Sequence, residues 1–238
     1  KHVFVEKPLC IKPGELNEIV SACQSANHDS RSQSITVGFN RRFSPLSAKL
    51  KELIRQDGPV SAIITVNAGN IPSNHWTQDI EVGGGRIIGE ACHFIDLAMF
   101  LAESRIVAVC SSALGQNPSQ NSDNMILTLK MANGSQAVIQ YLSAGHRSFP
   151  KERVEVFSAG KVLAIDNFRS LEGYGTKGFN KLKAKGQDKC HATQFEKYVS
   201  FLKNGGKPLI PFDEIVNVTK ATFAALESIK TRLWIDLA

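Results

Sequence analysis

The sequence lacks several features that would place a protein in a particular class. It contains no apolar run of about 18 residues and no charged leader followed by an apolar segment, so we expect no membrane span, no signal peptide and a cytoplasmic protein. Its five cysteines are scattered, without the C-x-x-C spacing of a metal or redox site, which predicts reduced thiols and no metal. The Gly-x-Gly-x-x-Gly fingerprint of dinucleotide-binding domains is absent as well.

Basic residues are in excess, and the net charge is +6. Many lysines fall in one stretch that is interleaved with glycine and poor in aromatic residues: Lys177, Lys181, Lys183, Lys185 and Lys189. Sites for nucleic acid usually combine basic with aromatic side chains, so we expect no nucleic-acid partner. The stretch is either a solvated loop or a loop that meets an anionic substrate.

Two kinds of hydrophobic pattern divide the chain. Residues 1–57 alternate between strand-like and helical segments, which is typical of the end of a doubly wound (Rossmann) α/β domain. Residues 58–238 contain strand-like runs joined by short turns such as Asn133-Gly134, which favour antiparallel hairpins. The sequence therefore predicts an α+β fold, in which a remnant of a dinucleotide-binding domain precedes a large, open, mostly antiparallel sheet with helices on one face.

The same patterns place the individual elements. The predicted helices are 13–27, 44–56, 84–101, 188–203 and 213–231. The predicted strands are 34–39, 60–66, 106–111, 124–130, 136–142, 153–157 and 161–166. Residues 167–187 are expected to form a Gly/Lys-rich loop, and apolar residues such as Val138 and Tyr141 to face outward on the open side of the sheet.

Two motifs carry the candidate chemistry. Three glycines, Gly83-Gly84-Gly85, lead into an apolar helix that carries His93, which is either a core imidazole bonded to a backbone carbonyl or a functional group. The opening strand ends in Glu6-Lys7-Pro8, which would put Lys7 at a strand's carboxyl end, where open α/β sheets bind ligands. The alternative for Lys7 is a surface residue paired with Glu6.

These motifs occur in a specific order, with Gly38-Phe39-Asn40-Arg41-Arg42-Phe43-Ser44-Pro45 between them and His93-x-x-Asp96 at the end. Over nearly the whole chain they resemble the glucose-fructose oxidoreductase / inositol dehydrogenase (Gfo/Idh/MocA) family of nicotinamide-dependent sugar oxidoreductases. The resemblance implies NAD or NADP as cofactor and a sugar, polyol or nucleotide-sugar as substrate. It also implies a homo-oligomer joined through the open sheet, and a chain that lacks most of its cofactor domain.

The resemblance suggests roles for individual residues. Lys7 and His93 would be catalytic and would hold or relay the hydroxyl proton during hydride transfer. Cofactor contacts would come from Glu6, Lys7, Pro8 and Arg41. Substrate contacts would come from Trp76, Arg42, Asp96, Tyr174 and Lys177. Trp76 is either a stacking platform for a sugar or a loop anchor in the core, and one of the two adjacent arginines is expected to face solvent.

One position departs from the family's pattern, because Gly89 stands where the family often has an aspartate. Either His93 acts without that carboxylate, or Glu90 reaches in from the next helical position, or the reaction differs from alcohol oxidation. Adjacent helical positions point about 100° apart, so Glu90 is not a simple replacement. This form of the motif resembles the branch fused to a zinc-type alcohol dehydrogenase-like module. A non-catalytic oligomerisation or scaffold domain is the alternative function.

Overall fold

A computed structural model describes residues 1–27, 33–55, 58–116 and 122–237. The chain begins with strand β1 (Val3–Val5), helix α1 (Pro13–Asn27) and strand β2 (Ile35–Val37). The two strands are parallel. The peptide bond between Lys7 and Pro8, just after β1, is cis. The opening of the chain is therefore a strand–helix–strand unit, as its pattern predicts.

A 3-10 turn, Asn40–Phe43, connects β2 to helix α2 (Pro45–Ile54). The Ser44 hydroxyl accepts the Leu46 N–H at 3.3 Å, and Pro45 takes a first-turn position where its missing N–H has no cost. The predicted end of this helix at 56 and the domain boundary at 57 lie outside the described residues. The division into two domains stays a prediction.

Within the described residues, a second sheet has nine strands. They are β3 (Ser61–Asn67), β4 (Ile106–Ala113), β5 (Met125–Met131), β6 (Gln136–Leu142), β7 (Glu152–Ser158), β8 (Lys161–Asp166), β9 (Ser170–Tyr174), β10 (Lys181–Lys183) and β11 (Ile235–Asp236). Their order is β10-β9-β8-β7-β3-β6-β5-β4-β11, and all neighbours are antiparallel except β3 and β6. The predicted α+β fold with a mostly antiparallel sheet is confirmed.

Three helices complete the fold: α3 (Cys92–Ala102), α4 (His191–Asn204) and α5 (Phe212–Thr231). Helix α3 contacts β3 and β6, and α5 contacts β4, so one face of the sheet is covered. Buried residues of the first unit, such as Leu16 and Val37, share one hydrophobic core with sheet residues such as Ile64 and Leu127. No helix in the described ranges has the length and hydropathy to cross a bilayer.

Two sequence expectations about the sheet are wrong. The expected loop 167–187 contains β9 and β10, which form a hairpin that Lys181 and Glu172 stabilise by an ion pair across the strands. Tyr141 does not face outward with Val138, because side chains alternate along a strand and these two positions differ by an odd number. Tyr141 is fully buried beneath the helices, and only Val138 lies on the open face.

Candidate functional site

Lys7 reaches from the end of β1 to the glycine-led helix. Its Nζ donates a hydrogen bond to the carbonyl oxygen of Gly89 at 2.7 Å and lies 3.5 Å from Oε1 of Glu90. The side chains of Lys7 and Glu90 are 23% and 32% exposed, so solvent screens their attraction only in part. Lys7 does not stand on the surface as a partner of Glu6; it joins the two motifs that the sequence separates by 82 residues.

A local change of helix type places Glu90 beside Lys7. Residues Ile87–Ala91 form a π-helical turn that leads directly into α3, and such turns occur frequently at functional sites. A Cβ atom added at Gly89 would lie 3.1 Å from the carbonyl oxygen of Gly83, which is tighter than ordinary packing. Position 89 is therefore crowded against backbone, and the carboxylate that faces Lys7 comes from position 90.

Glu90 also connects Lys7 to a second pair of residues. The Tyr141 hydroxyl donates to Oε2 of Glu90 at 3.4 Å, and Nε and Nη2 of Arg86 donate to the Tyr141 oxygen at 2.8 and 2.6 Å. Burial, followed by the charge of Glu90, raises the pKa of Tyr141 well above its ordinary value, and Arg86 opposes the shift. Tyr141 is thus a hydrogen-bond donor that stays protonated at neutral pH.

His93 is buried beside this network, with 6% of its surface exposed. Burial, then the charges of Arg41 and Lys7, holds the pKa of His93 well below 6.5, so the imidazole is neutral. Its Nδ1 is buried and has no hydrogen-bond partner among the described residues. The alternative of a core histidine bonded to a backbone carbonyl through this nitrogen does not hold, so Nδ1 is free of described partners.

Arg41 forms a second charge network on the other side of His93. Its Nε and Nη2 donate to the two carboxylate oxygens of Glu152 at 2.8 and 2.9 Å. Lys189 Nζ lies 2.7 Å from the same carboxylate. The Asn40 side-chain amide donates to the Lys189 carbonyl oxygen at 2.7 Å and so fixes the segment before α4.

Arg42 points away from this site into a separate network. It donates to both carboxylate oxygens of Asp96, at 3.0 and 2.5 Å, and to Glu214 at 2.8 Å. It lines a cleft of about 830 Å³ between α1, α3 and α5. The expectation that one of the two arginines faces solvent is wrong, because both are buried. Asp96 anchors Arg42 and makes no hydrogen bond to His93 among those described.

The remaining predicted residues lie at different distances from the site. Trp76 is 62% exposed, so it is not a core anchor, and its carbonyl oxygen packs against Gly83 beside the π-helical turn. Tyr174 lies opposite Val162 of β8, and the same row of paired residues crosses the sheet to Ser61, at the start of β3. The row that contains Tyr141 and Glu152 crosses β3 at Val66 instead. Five residues of β3, or about 17 Å, separate the two rows.

Tyr174 is therefore at the opposite end of the sheet, and the exposed Lys177 follows it in the next turn. The structure does not bring these two residues to Lys7. Sequence reasoning instead missed Arg86, Tyr141, Glu152 and Lys189. Arg86 adjoins the glycine motif and Lys189 belongs to the noted lysine stretch, but the sequence carries no signal for Glu152.

The opening strand–helix–strand unit has residues that suit the nicotinamide end of a dinucleotide but not its phosphates. Lys7, Glu6 and Pro8 follow β1 at the carboxyl edge of a parallel strand pair, where such sheets bind ligands. The buried Nδ1 of His93, which has no partner among the described residues, follows by one helical turn the Gly89 carbonyl that Lys7 binds. These residues fit the nicotinamide end of a dinucleotide, whereas no glycine-rich fingerprint for its phosphates occurs in the sequence.

In this fold, the end of a parallel strand pair faces a helix that lies on a mostly antiparallel sheet. Comparison with known proteins specifies the class. Residues 48–164 match the family model of the GFO/IDH/MocA C-terminal domain. This match confirms the resemblance to the Gfo/Idh/MocA family of oxidoreductases that the motifs indicate.

Individual relatives agree with this assignment. The chain is 28% identical to the uncharacterized oxidoreductase YrbE of Bacillus subtilis over 174 residues, 71% of this chain and 49% of that protein. It is 25% identical to myo-inositol 2-dehydrogenase of Thermotoga maritima over 179 residues, 71% of this chain and 50% of that protein. The chain thus spans about half the length of the curated relatives it matches.

Among solved structures, an oxidoreductase domain protein from Kribbella flavida superposes with a TM-score of 0.81 and 20% identity. The superposition covers 100% of this chain and 74% of that one. At this identity the likeness concerns the fold alone.

Proposed function

We propose that this chain is the substrate-binding part of an NAD- or NADP-dependent oxidoreductase that transfers a hydride to or from a sugar, polyol or nucleotide-sugar. The observation that carries the proposal is the contact of Lys7 with Gly89 and Glu90, one turn of helix before the buried His93. The match to the model of an oxidoreductase family supports the reaction class, and a dehydrogenase of a cyclic polyol among the relatives supports the substrate class.

Each residue has a role that its surroundings allow. A nicotinamide bound at the end of β1 would supply the hydride exchange. As the hydride leaves, Lys7 takes the hydroxyl proton and gives one of its own to Glu90, whose Oε1 lies 3.5 Å from Nζ. His93 is neutral and orients the same hydroxyl as a hydrogen-bonding partner, because its burial disfavours the imidazolium form. Glu6, Pro8 and Arg41 contribute to the nicotinamide pocket, and the exposed Trp76 offers a face on which a sugar can stack.

The test uses the full-length protein that contains this chain. NADH and NADPH binding is followed by fluorescence, and turnover is followed with a panel of polyols and UDP-sugars. We expect Lys7→Ala and His93→Ala each to lower kcat by about 10²–10⁴-fold, as is typical when a proton-transfer group is removed. Lys12→Ala is the matched control, because Lys12 is exposed and pairs with Glu81. Activity that survives in both variants would contradict the proposal.

A second role concerns the open face of the sheet. Ile63, Phe157 and Ile126 are 36%, 40% and 42% exposed there, and Val138 pairs directly beside Ile63. Exposed apolar side chains on neighbouring strands of one face favour association, so we propose a homo-oligomer joined through this face. Analytical ultracentrifugation at micromolar concentration should show more than a monomer, and Phe157→Glu should dissociate it. A monomeric wild-type protein contradicts this role.

The non-catalytic scaffold remains the alternative and depends on the same face. It is favoured if the full-length protein assembles but neither binds NADH nor turns over any substrate of the panel. Fusion to a zinc-type alcohol dehydrogenase-like module likewise stays a prediction, and the sequence upstream of Lys1 in the gene tests it directly.

A further inference from the structure

The charges around the candidate site do not balance. Glu152 is fully buried and is shared between two cations, Arg41 and Lys189, whose side chains are 8% and 20% exposed. One carboxylate cannot neutralise both. An excess of positive charge in a partly buried site is costly unless an anion compensates it, because the surrounding protein screens charge less well than water does.

Lys151 adds to this excess. It precedes Glu152 in the chain and is exposed. Partial desolvation, then the charge of Lys189, lowers the pKa of Lys151, while Glu90 and Glu152 oppose the shift. Lys151 is therefore a second cation next to the carboxylate that Lys189 already holds. Two other carboxylates have partners of their own, since Glu90 faces Lys7 and Asp123 accepts from Gln78, and neither makes a described bond to Lys151 or Lys189.

The position of Lys189 is set by the fold. Asn40 binds its carbonyl oxygen, and the next residue, Cys190, has a left-handed backbone with a φ of 64°. Such a conformation is unfavourable for a residue other than glycine and persists only where the surrounding structure enforces it. Lys189 is thus held in place beside Glu152, unlike the exposed lysines earlier in the same stretch.

We propose that Lys189 and Lys151 bind an anionic group, a carboxylate or a phosphate, on the substrate of this enzyme. The proposal rests on the proposed function, since it specifies the substrate for the same site. His93 and Lys7 then act on a hydroxyl of a substrate whose charged group is held on the Lys189 side. The basic stretch of the sequence meets an anionic substrate through this one lysine.

Binding measurements separate this proposal from catalysis. Calorimetric titration of the full-length protein uses D-glucose, D-glucuronate and D-glucose 6-phosphate as probes. We expect the carboxylate or the phosphate probe to bind at least about tenfold more tightly than glucose, and the better of the two identifies the anion. Lys189→Gln and Lys151→Gln should each remove most of this preference. Lys185→Gln is the matched control, because that lysine is exposed in the same stretch.

A third variant has an effect of the opposite sign. Glu90→Gln removes a negative charge from the site, so we expect tighter binding of the anionic probe by severalfold while turnover falls. A structural defect would weaken binding instead. Circular dichroism of each variant confirms that it is folded, and Lys189→Arg should retain the preference.

Several results would overturn the proposal. They are equal binding of glucose and the anionic probes, an equal loss in Lys185→Gln, and an equal weakening of NADH binding in Lys189→Gln, which would assign the cations to a cofactor phosphate. A protein that shows the preference but has no turnover refutes the proposed reaction alone, and one that turns over only neutral sugars refutes the anionic substrate alone.

Discussion

Arg41 and Arg42 are neighbours in the sequence, and both are buried in bidentate ion pairs, yet their surroundings have opposite charge. Arg41 shares Glu152 with a second cation, Lys189, whereas Arg42 is shared between two carboxylates, Asp96 and Glu214. The Arg42 network joins α3 to α5 and holds helices together. The Arg41 network has two cations for one carboxylate and belongs to the proposed site.

The pKa values of the two buried carboxyl groups reflect this contrast. Burial raises the pKa of Asp96 to about 6, and the guanidinium of Arg42 opposes the shift only in part because Glu214 competes for it. Burial also acts to raise the pKa of Glu152, but hydrogen bonds and charge from Arg41, followed by Lys189, outweigh it and hold that pKa below its ordinary value. Two buried carboxyl groups with similar ion-pair geometry therefore have pKa shifts of opposite sign.

The largest expected effect comes from removing one carboxylate from each network. Glu152→Gln leaves two buried cations without a counter-charge and should lower the free energy of unfolding by about 3–5 kcal/mol. Asp96→Asn should lower the free energy of unfolding by about 2 kcal/mol less than Glu152→Gln does, because Arg42 keeps its ion pair with Glu214. Urea denaturation at pH 7.5 measures both values. Glu196→Gln, at an exposed position on α4, is the control and should stay within about 0.5 kcal/mol. An equal loss of stability in Glu152→Gln and Asp96→Asn would contradict the proposed difference between the two networks.

A smaller effect is expected at the tyrosine that links Arg86 to Glu90. Tyr141→Phe leaves two N–H groups of a buried guanidinium without their acceptor, and should lower stability by about 1–3 kcal/mol. Tyr174→Phe provides the comparison, since that hydroxyl is exposed and bonds only Glu172 among its described partners. Differential scanning calorimetry distinguishes the two. A Tyr141→Phe protein as stable as Tyr174→Phe would show that the network adds nothing to the fold.

The smallest effect is a pH dependence that belongs to His93. The unfolded chain takes up a proton on this residue below about pH 6.5, while the folded protein does not, so the stability that His93 contributes should fall as the pH drops below 6.5 and be complete above it. The contribution reaches about 1.4 kcal/mol per pH unit. Asp96 acts in the opposite sense, because its raised pKa favours the protonated folded form.

The difference between wild type and His93→Asn isolates the histidine, since the contribution of Asp96 cancels. Urea titrations at pH 7.5, 6.5 and 5.5 should show the two proteins diverging only below pH 6.5. His146→Asn, an exposed histidine, should follow the wild type. Parallel curves for wild type and His93→Asn would mean that the folded imidazole takes up a proton normally.

The sequence predicts the architecture well because its signals are local. Alternating runs between turns identify β3 to β8, and Pro45 after Ser44 identifies the start of α2. The β9–β10 hairpin was missed since glycine and lysine suggest a loop, and the pairing of Lys181 with Glu172 appears only once the strands are opposed. Tyr141 was placed on the wrong face because the period of a strand does not say which of its two sides is covered.

The site was predictable only where a motif marks it. Lys7 and His93 belong to short patterns, and Glu90 was one of the open alternatives. Arg41 and Glu152 are 111 residues apart, and no local pattern connects them. Their contact arises because β7 pairs with β3 in a register that sets Glu152 beside Val66 on the helix side of the sheet. Partners of this kind follow from topology, which a single sequence does not specify.

The π-helical turn at Ile87–Ala91 holds one residue more than an α-helical turn would. In a continuous α-helix, an extra residue would rotate every following side chain by about 100° relative to those before it, and the wider turn absorbs this rotation. Phe94 and Ile95 thus stay in the core, and Asp96 keeps Arg42. One additional amino acid thus lets the front of the helix serve chemistry while its remainder keeps the alignment that the sheet requires.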